Sequence, residues 1–408
     1  MGTLRYRPEI GWLLQAAMLI FVVTVLIGVA NGTKIFGTLE RGVLLTHVHA
    51  GTFGWITLGV AAACLWIFGG TAPRAANEGL VRGLAVALVA SVPLYVAGFW
   101  SGNFVARAVL SVPVLAAIVL LLGWLLVGMR RIGPGRLSVP QLSAIAGLTS
   151  LVIGSILGVY AQFAFARGEQ FNPMNVIAGH ITAQVIGFLL LLGMGLIEYW
   201  QRPMTTPASW AGRIQVGLLF FGALAIAVGF VMGQGEAAGG AVLLEIPALV
   251  IFIVRVGWSA VRSSWRRAGG ARHAAVAVPF LVFNVGSIIY LILALFVLNI
   301  YKDFTEVPMS VAVTLDHALF VGVMTNLNFA FLIELTAERR AVLAWADDVI
   351  FWGMNAGVAA FILVLLANIT FFERFTAPVM GLAILLALVT FTLRLWARPS
   401  TARLPAAA

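Results

Sequence analysis

Five histidines occur in this chain, and four of them lie inside apolar runs: His47, His49, His180 and His317. Ionisable side chains are costly in such runs and usually serve a function. A neutral imidazole presents a nitrogen lone pair to iron, copper or zinc. Each of the four stands roughly four to eight residues from the same end of its run, about 6–12 Å deep at 1.5 Å per residue. A hydrogen bond between helices is the plainer use of a single membrane histidine. Four at one depth point to ligation instead. The fifth, His273, follows the arginine-rich stretch Arg262–Arg272 and reads as a solvated loop residue.

The histidine runs resemble one another. His47 and His180 are each followed seven residues later by glycine and then an aromatic, as Gly54-Trp55 and Gly187-Phe188. In the third run, Leu315-Asp316-His317 leads to Gly322. Aligned on that glycine, His317 takes the place of His49 and Leu315 that of His47. The step from His47 to His180 nearly equals the step from His180 to Leu315, and each is close to a third of the chain. The spacing predicts a threefold internal repeat, approximately 1–136, 137–272 and 273–408, within one membrane domain. Small residues one and two turns below the histidines, Gly51, Gly54, Ala183 and Gly187, predict a bed on which a flat cofactor lies against the helix backbone.

The elements that must hold these residues are apolar throughout. Apolar residues make up 62% of the chain and charged residues 10%, and the mean hydropathy is +1.04. Soluble domains carry about 25% charged residues, so a soluble enzyme, a disordered chain and a repeat solenoid are excluded. Twelve runs are long enough to span a bilayer: 10–31, 43–69, 79–100, 105–128, 140–163, 174–199, 211–233, 239–261, 275–298, 309–335, 346–368 and 375–396. They are continuous rather than alternating, which excludes a β-barrel. The expected fold is all-α, with twelve transmembrane helices in three pseudo-threefold four-helix repeats.

The net charge of +10 is spread through short loops, which argues against nucleic-acid binding. With the N-terminus in the cytoplasm, 18 Lys and Arg fall on the inner side and 6 on the outer. That bias places both termini in the cytoplasm and the protein in the cell's inner (cytoplasmic) membrane. Arg5 and Arg7 precede a first run of full spanning length, which reads as a retained helix. Cys64 stands alone, so no intrachain disulfide forms, and no C-x-x-C-H haem-attachment motif is present.

Two of the histidine segments resemble those of a known superfamily. The segment His-Val-His-Ala-Gly-Thr-Phe-Gly-Trp (47–55) resembles the H-x-H-x-G-x-x-G-W run of C-type haem–copper oxidase catalytic subunits. Asp316–Met324 resembles the H-A-L-x-x-G run of the NnrS family, a haem- and copper-containing branch linked to nitric oxide stress. Histidines on the second, sixth and tenth of twelve helices match the plan of haem–copper oxidase subunit I. The resemblance implies haem b held by His317 with His47, or His49 as the second candidate. It implies copper on His180. It also implies a small gas ligand, NO or O2, and electrons from a quinol or a separate donor protein.

Departures from that plan limit the chemistry. The seventh run, Val216–Met232, has no histidine where oxidases carry two, and Gln184 stands where many have a tyrosine. The usual metal centre is therefore incomplete, and redox or gas handling without proton pumping is the implied role. His47 and His49 lie about 200° apart around a helix and cannot bind one iron together. One is expected to face His317 and the other His180, where the second site is short of ligands.

Other polar residues in the runs carry weaker expectations. Glu245 and Gln184 are the catalytic candidates; Glu245 is either a carboxylate near the cofactor or an interfacial group reaching water. Asp316 points roughly 100° away from His317 and could brace a histidine on another helix. Asn326 and Asn328 suit interhelical hydrogen bonds, and Tyr95, Tyr160 and Tyr290 an aromatic belt. Arg255 is expected to snorkel. The loop Arg167–Asn172, with Pro173, is expected to form a rim over the histidine level. Two other functions fit the same topology: a twelve-helix transporter, and a copper or haem handling factor. Transporters of that type repeat as six plus six helices, which the four-helix period disfavours.

Overall fold

The computed structural model describes residues 4–69, 78–169, 173–202, 204–263, 265, 269–302 and 306–397. Arg74, Arg266, Arg267, Arg398 and Arg403, counted above on the inner side, lie outside these residues, as does Asn172 of the expected rim.

Among the described residues, twelve helices are long and apolar enough to cross a membrane: α1 Arg7–Thr33, α2 Arg41–Gly69, α3 Glu78–Trp100, α4 Phe104–Ile132, α5 Val139–Arg167, α6 Pro173–Gln201, α7 Trp210–Val231, α8 Gly235–Arg262, α9 Gly270–Phe296, α10 Met309–Leu335, α11 Ala346–Leu366 and α12 Thr370–Trp396. No strand occurs among the described residues. The chain is thus an all-α, multi-pass membrane architecture with the expected number of spans.

Three helices form the centre. The most apolar stretches of α2 and α10 are each 89% buried and that of α6 61%, against 28% for α8. Where α2 and α10 meet, polar bonds join them. The indole N–H of Trp55 on α2 donates to the Thr325 hydroxyl of α10 at 2.9 Å, and the Asn328 amide donates to the Trp55 carbonyl at 3.3 Å. Gly59 packs directly on the Asn328 amide, so no side chain fits there.

The same backbone event recurs in all three central helices. Each passes into a π-helical stretch just below its histidine level, over Ala50–Thr57, Ala183–Leu190 and Ala318–Thr325. The starting points of these stretches are separated by the same two intervals as the histidine positions. A π turn widens the helix and leaves carbonyls short of their usual donors, and such turns cluster at functional sites. Threonine hydroxyls repair part of the deficit, Thr57 donating to the Thr52 carbonyl at 3.0 Å and Thr325 to that of Phe320 at 2.8 Å.

The opposite end of the bundle is held by buried charge, and here two expectations are corrected. Arg255 does not snorkel: its guanidinium grips Glu198 at 2.7 and 3.1 Å and donates to Gln215 at 2.8 Å. A carboxylate at the end of α6 gives it a partner inside the protein, so it has no need to reach water. His273 is not a loop residue. Helix α9 starts at Gly270, earlier than the apolar run suggests, and buries His273 against Asn326 with its Nδ1 at 2.7 Å from the amide oxygen. Arg272 beside it is also buried, and its guanidinium reaches out to the exposed carboxylate of Asp348, so this arginine does not mark a solvated loop.

Candidate functional site

The four membrane histidines fall into two structural classes that follow the repeat. In the first class the ring reaches across to the preceding helix. His47 Nδ1 donates to the Thr24 carbonyl of α1 at 2.8 Å, and His180 Nδ1 donates to the Gly154 carbonyl of α5 at 2.7 Å. Thr24, Gly154 and Asn284 of α9 are evenly spaced along the chain, one in each repeat. Each ring lies against a glycine one turn further on, Gly28 or Gly158. A Cβ on either glycine would stand 3.0 Å from the imidazole Cε1. In the third repeat Leu315 replaces the histidine, and the bond reverses: the Asn284 amide donates to the Leu315 carbonyl at 2.8 Å.

In the second class the ring bonds within its own helix. His49 Nδ1 donates to the Leu45 carbonyl and His317 Nδ1 to the Val313 carbonyl, both at 2.8 Å. The matching position in the middle repeat is Thr182, which is buried and bears no imidazole.

One consequence is common to all four. A carbonyl can only accept, so the proton sits on Nδ1 and the Nε2 lone pair is free. No hydrogen bond to Nε2 occurs among the described residues, and all four rings are half-buried rather than sealed. Such a bond fixes tautomer and ring orientation in metal-ligating histidines and strengthens the ring as a donor.

His317 is an electrostatic neighbour of His47, and His49 of His180. The second pair shares its surroundings. Phe53 and Tyr95 pack around the His49 ring, at 6.3 and 6.1 Å between centroids, and both line a cavity whose far wall carries His180 and Gly158. Phe99 stacks on His49 at 3.7 Å. His317 packs on Phe361 of α11 at 4.9 Å. Helix α2 therefore contributes one histidine to each gap, as the wide angle between His47 and His49 requires. The gap between the second and third repeats has Thr182 and Leu315 at the corresponding places, and so lacks both ligands.

Among the described residues no group of three or more His, Cys, Asp or Glu converges on one point. The four histidines share a level but form two couples. The glycine and alanine stripe is used differently from the expectation. A Cβ on Gly51 would meet Thr24, one on Gly54 would collide with Ile20, and one on Gly187 would meet Ser150, all on neighbouring helices. Gly154 likewise faces Ala183. These small residues seat α2 on α1 and α6 on α5, and no bed for a macrocycle remains over them.

The other candidates are placed as follows. Gln184 packs on Gly154, beside the carbonyl that holds His180, and its amide donates to the Ser155 hydroxyl at 3.4 Å. Glu245 is buried on α8 against Gly222, with Oε1 lacking a partner, so it does not reach water. It lines neither histidine gap described above. Asp316 braces no histidine among the described residues. Tyr160 and Tyr290 are exposed as a belt requires, but Tyr95 is 5% exposed and belongs to the His49 surroundings. Sequence reasoning missed Thr24, Gly154, Gly28 and Gly158. The usable signal was the shared interval that separates Thr24 from Gly154 and Gly28 from Gly158. No family model matches the chain, and no curated protein matches it.

Proposed function

We propose that this protein is an integral membrane haem b protein in which His47 and His317 are the axial ligands of one iron, joining α2 to α10. The observation that carries the reading is the donor set: two neighbouring imidazoles, each with Nδ1 bonded to a carbonyl and no hydrogen bond to Nε2, and no third protein ligand among the described residues. A bare zinc or copper ion takes three or four protein donors. His47 and His317 would instead hold haem iron, whose other ligands a porphyrin would bring with it. Bound haem supplies one-electron redox chemistry and, where an axial position opens, binding of a gas such as NO or O2.

The chain's own residues do the positioning. The Thr24 carbonyl holds His47 and the Val313 carbonyl holds His317, so each ring presents Nε2 without rotating. Aromatic and apolar neighbours keep the gap dry, which tunes the potential of any iron within it. The role is electron transfer or gas handling without proton pumping. Electrons come from a quinol or a separate donor protein, and copper is a secondary candidate at His180.

We place the protein in the inner membrane with both termini cytoplasmic, on the inward bias of Lys and Arg. A C-terminal reporter active only outside the cell would overturn that orientation. For the cofactor, acid–acetone extraction of the purified full-length protein is expected to release protohaem. A colourless extract and a colourless protein would instead favour the transporter.

A further inference from the structure

Glu245 takes no part in either histidine couple, and its place in the repeat says what it does instead. The fourth helix of each repeat carries a proline with a polar residue two positions before it: Ser111 before Pro113 in α4, Glu245 before Pro247 in α8 and Thr376 before Pro378 in α12. These pairs recur at nearly the same interval as the histidine positions. In α4 and α12 the hydroxyl donates to a carbonyl one turn back, Ser111 to Ala108 at 2.6 Å and Thr376 to Phe372 at 3.2 Å. Back-bonding of this kind is a common use of Ser and Thr within a helix. In α8 the carbonyl one turn back is that of Ala241. An ionised carboxylate only accepts and cannot donate to it, whereas a protonated one can.

The surroundings supply nothing to an ionised carboxylate. Glu245 is 1% exposed, and its Oε1 has no partner. Helices α7 and α9 pack on this stretch of α8. A Cβ placed on Gly222 of α7 would stand 3.2 Å from Oε1 and 3.7 Å from the Ala241 carbonyl, so carboxyl and carbonyl share one patch of α7. The charged and titratable side chains of these three helices are engaged elsewhere. Arg213 bonds the carbonyls of Pro134 and Gly135, and Arg255 grips Glu198. Arg272 reaches Asp348, and His273 bonds Asn326. Arg262 lies over the Trp258 ring, and Tyr290 is half exposed. Glu236 stands about two and a half turns nearer the start of α8, and a like charge would only oppose ionisation. A carboxylate buried in apolar surroundings with neither counter-charge nor donor is costly, and the group takes up a proton instead.

We infer that Glu245 is a proton-binding site of the membrane domain, a carboxylic acid that stays neutral at physiological pH with the Ala241 carbonyl as its acceptor. It stands where the second repeat meets the third, the junction at which Thr182 and Leu315 replace histidine. Lipid-soluble reagents have a short path to it, because Leu243, Leu244 and Ile246 beside it are exposed on the surface of the bundle. The site does not depend on haem.

Infrared difference spectra of the full-length protein in lipid, wild type against Glu245→Gln at neutral pH, test the assignment. Glutamine matches the neutral acid in size and charge. The wild type should show a protonated-carboxyl C=O band that the variant lacks, shifted downward in deuterium oxide. Dicyclohexylcarbodiimide gives a second readout. The carboxylic O–H adds across one C=N bond of the reagent, oxygen to carbon and proton to nitrogen. Acyl transfer to nitrogen then leaves an N-acylurea that carries the whole reagent. Peptide mass spectrometry should find this adduct on Glu245, diminishing as pH is raised and the acid ionises. Carboxylate bands for Glu245 at neutral pH, or identical carboxylic-acid regions in the two proteins, would overturn the proton site, and the infrared result decides if the carbodiimide fails to reach the group. If Glu245→Gln does not fold, absence of the adduct from the wild type at every pH overturns it. Each of these results leaves the proposed function standing, since haem content decides that separately.

Discussion

His317→Ala is expected to abolish the six-coordinate, low-spin state of the haem between α2 and α10. His317 is the only histidine α10 offers, and its neighbours supply no substitute, since Leu315 takes the other ligand position and Asp316 points elsewhere. The iron would keep His47, whose ring stays fixed by the Thr24 carbonyl. An iron with one imidazole is five-coordinate and open. The variant should therefore bind carbon monoxide at one site where the wild type binds little. Optical spectra of the reduced protein with and without carbon monoxide measure this. His180→Ala should leave the α2–α10 haem intact. If His180→Ala strips all haem and His317→Ala strips none, the assignment of ligands is wrong.

Asp347→Ala is expected to cost roughly 3–5 kcal/mol of stability, the effect of breaking a buried ion pair by removing one partner. Asp347 lies at the start of α11 and is 3% exposed. It accepts from Arg394 of α12 at 2.7 Å and from Arg340 at 2.9 Å. Arg394 is fully buried, and its remaining bonds go to the carbonyls of Val342, Arg340 and Leu343. Without Asp347 that guanidinium keeps its hydrogen bonds but loses its counter-charge. Thermal unfolding in detergent reads the loss. Glu306→Ala serves as the control. Its partner Lys302 is 88% exposed at 3.9 Å, and removing such a pair should change stability by less than about 1 kcal/mol. Equal effects from both variants would contradict the inner network described here.

Much of this arrangement was legible in the residues, and the gaps have physical causes. The apolar runs marked all twelve helices because a bilayer leaves little choice of element. Alignment on the glycine seven residues after His47 and His180 matched His317 to His49, and the hydrogen bonds follow that division into two classes. The acceptors were hidden, because a backbone carbonyl of Thr24 or Gly154 has no side-chain signature. The stripe at Gly51, Gly54 and Gly187 misled because close helix packing and a flat ligand both demand small residues, and packing takes them here. His273 and Arg255 misled for another reason. Charged residues near helix ends usually face water, but here carboxylates and amides from other helices meet them inside.

Low-temperature electron paramagnetic resonance of the oxidised, purified wild-type protein tests the central claim most directly, because it reports the axial ligands of each iron. Ligation by His47 and His317 predicts a low-spin ferric signal that accounts for the haem, with negligible high-spin iron. A colourless protein, or haem that is wholly high-spin, would contradict the assignment of His47 with His317.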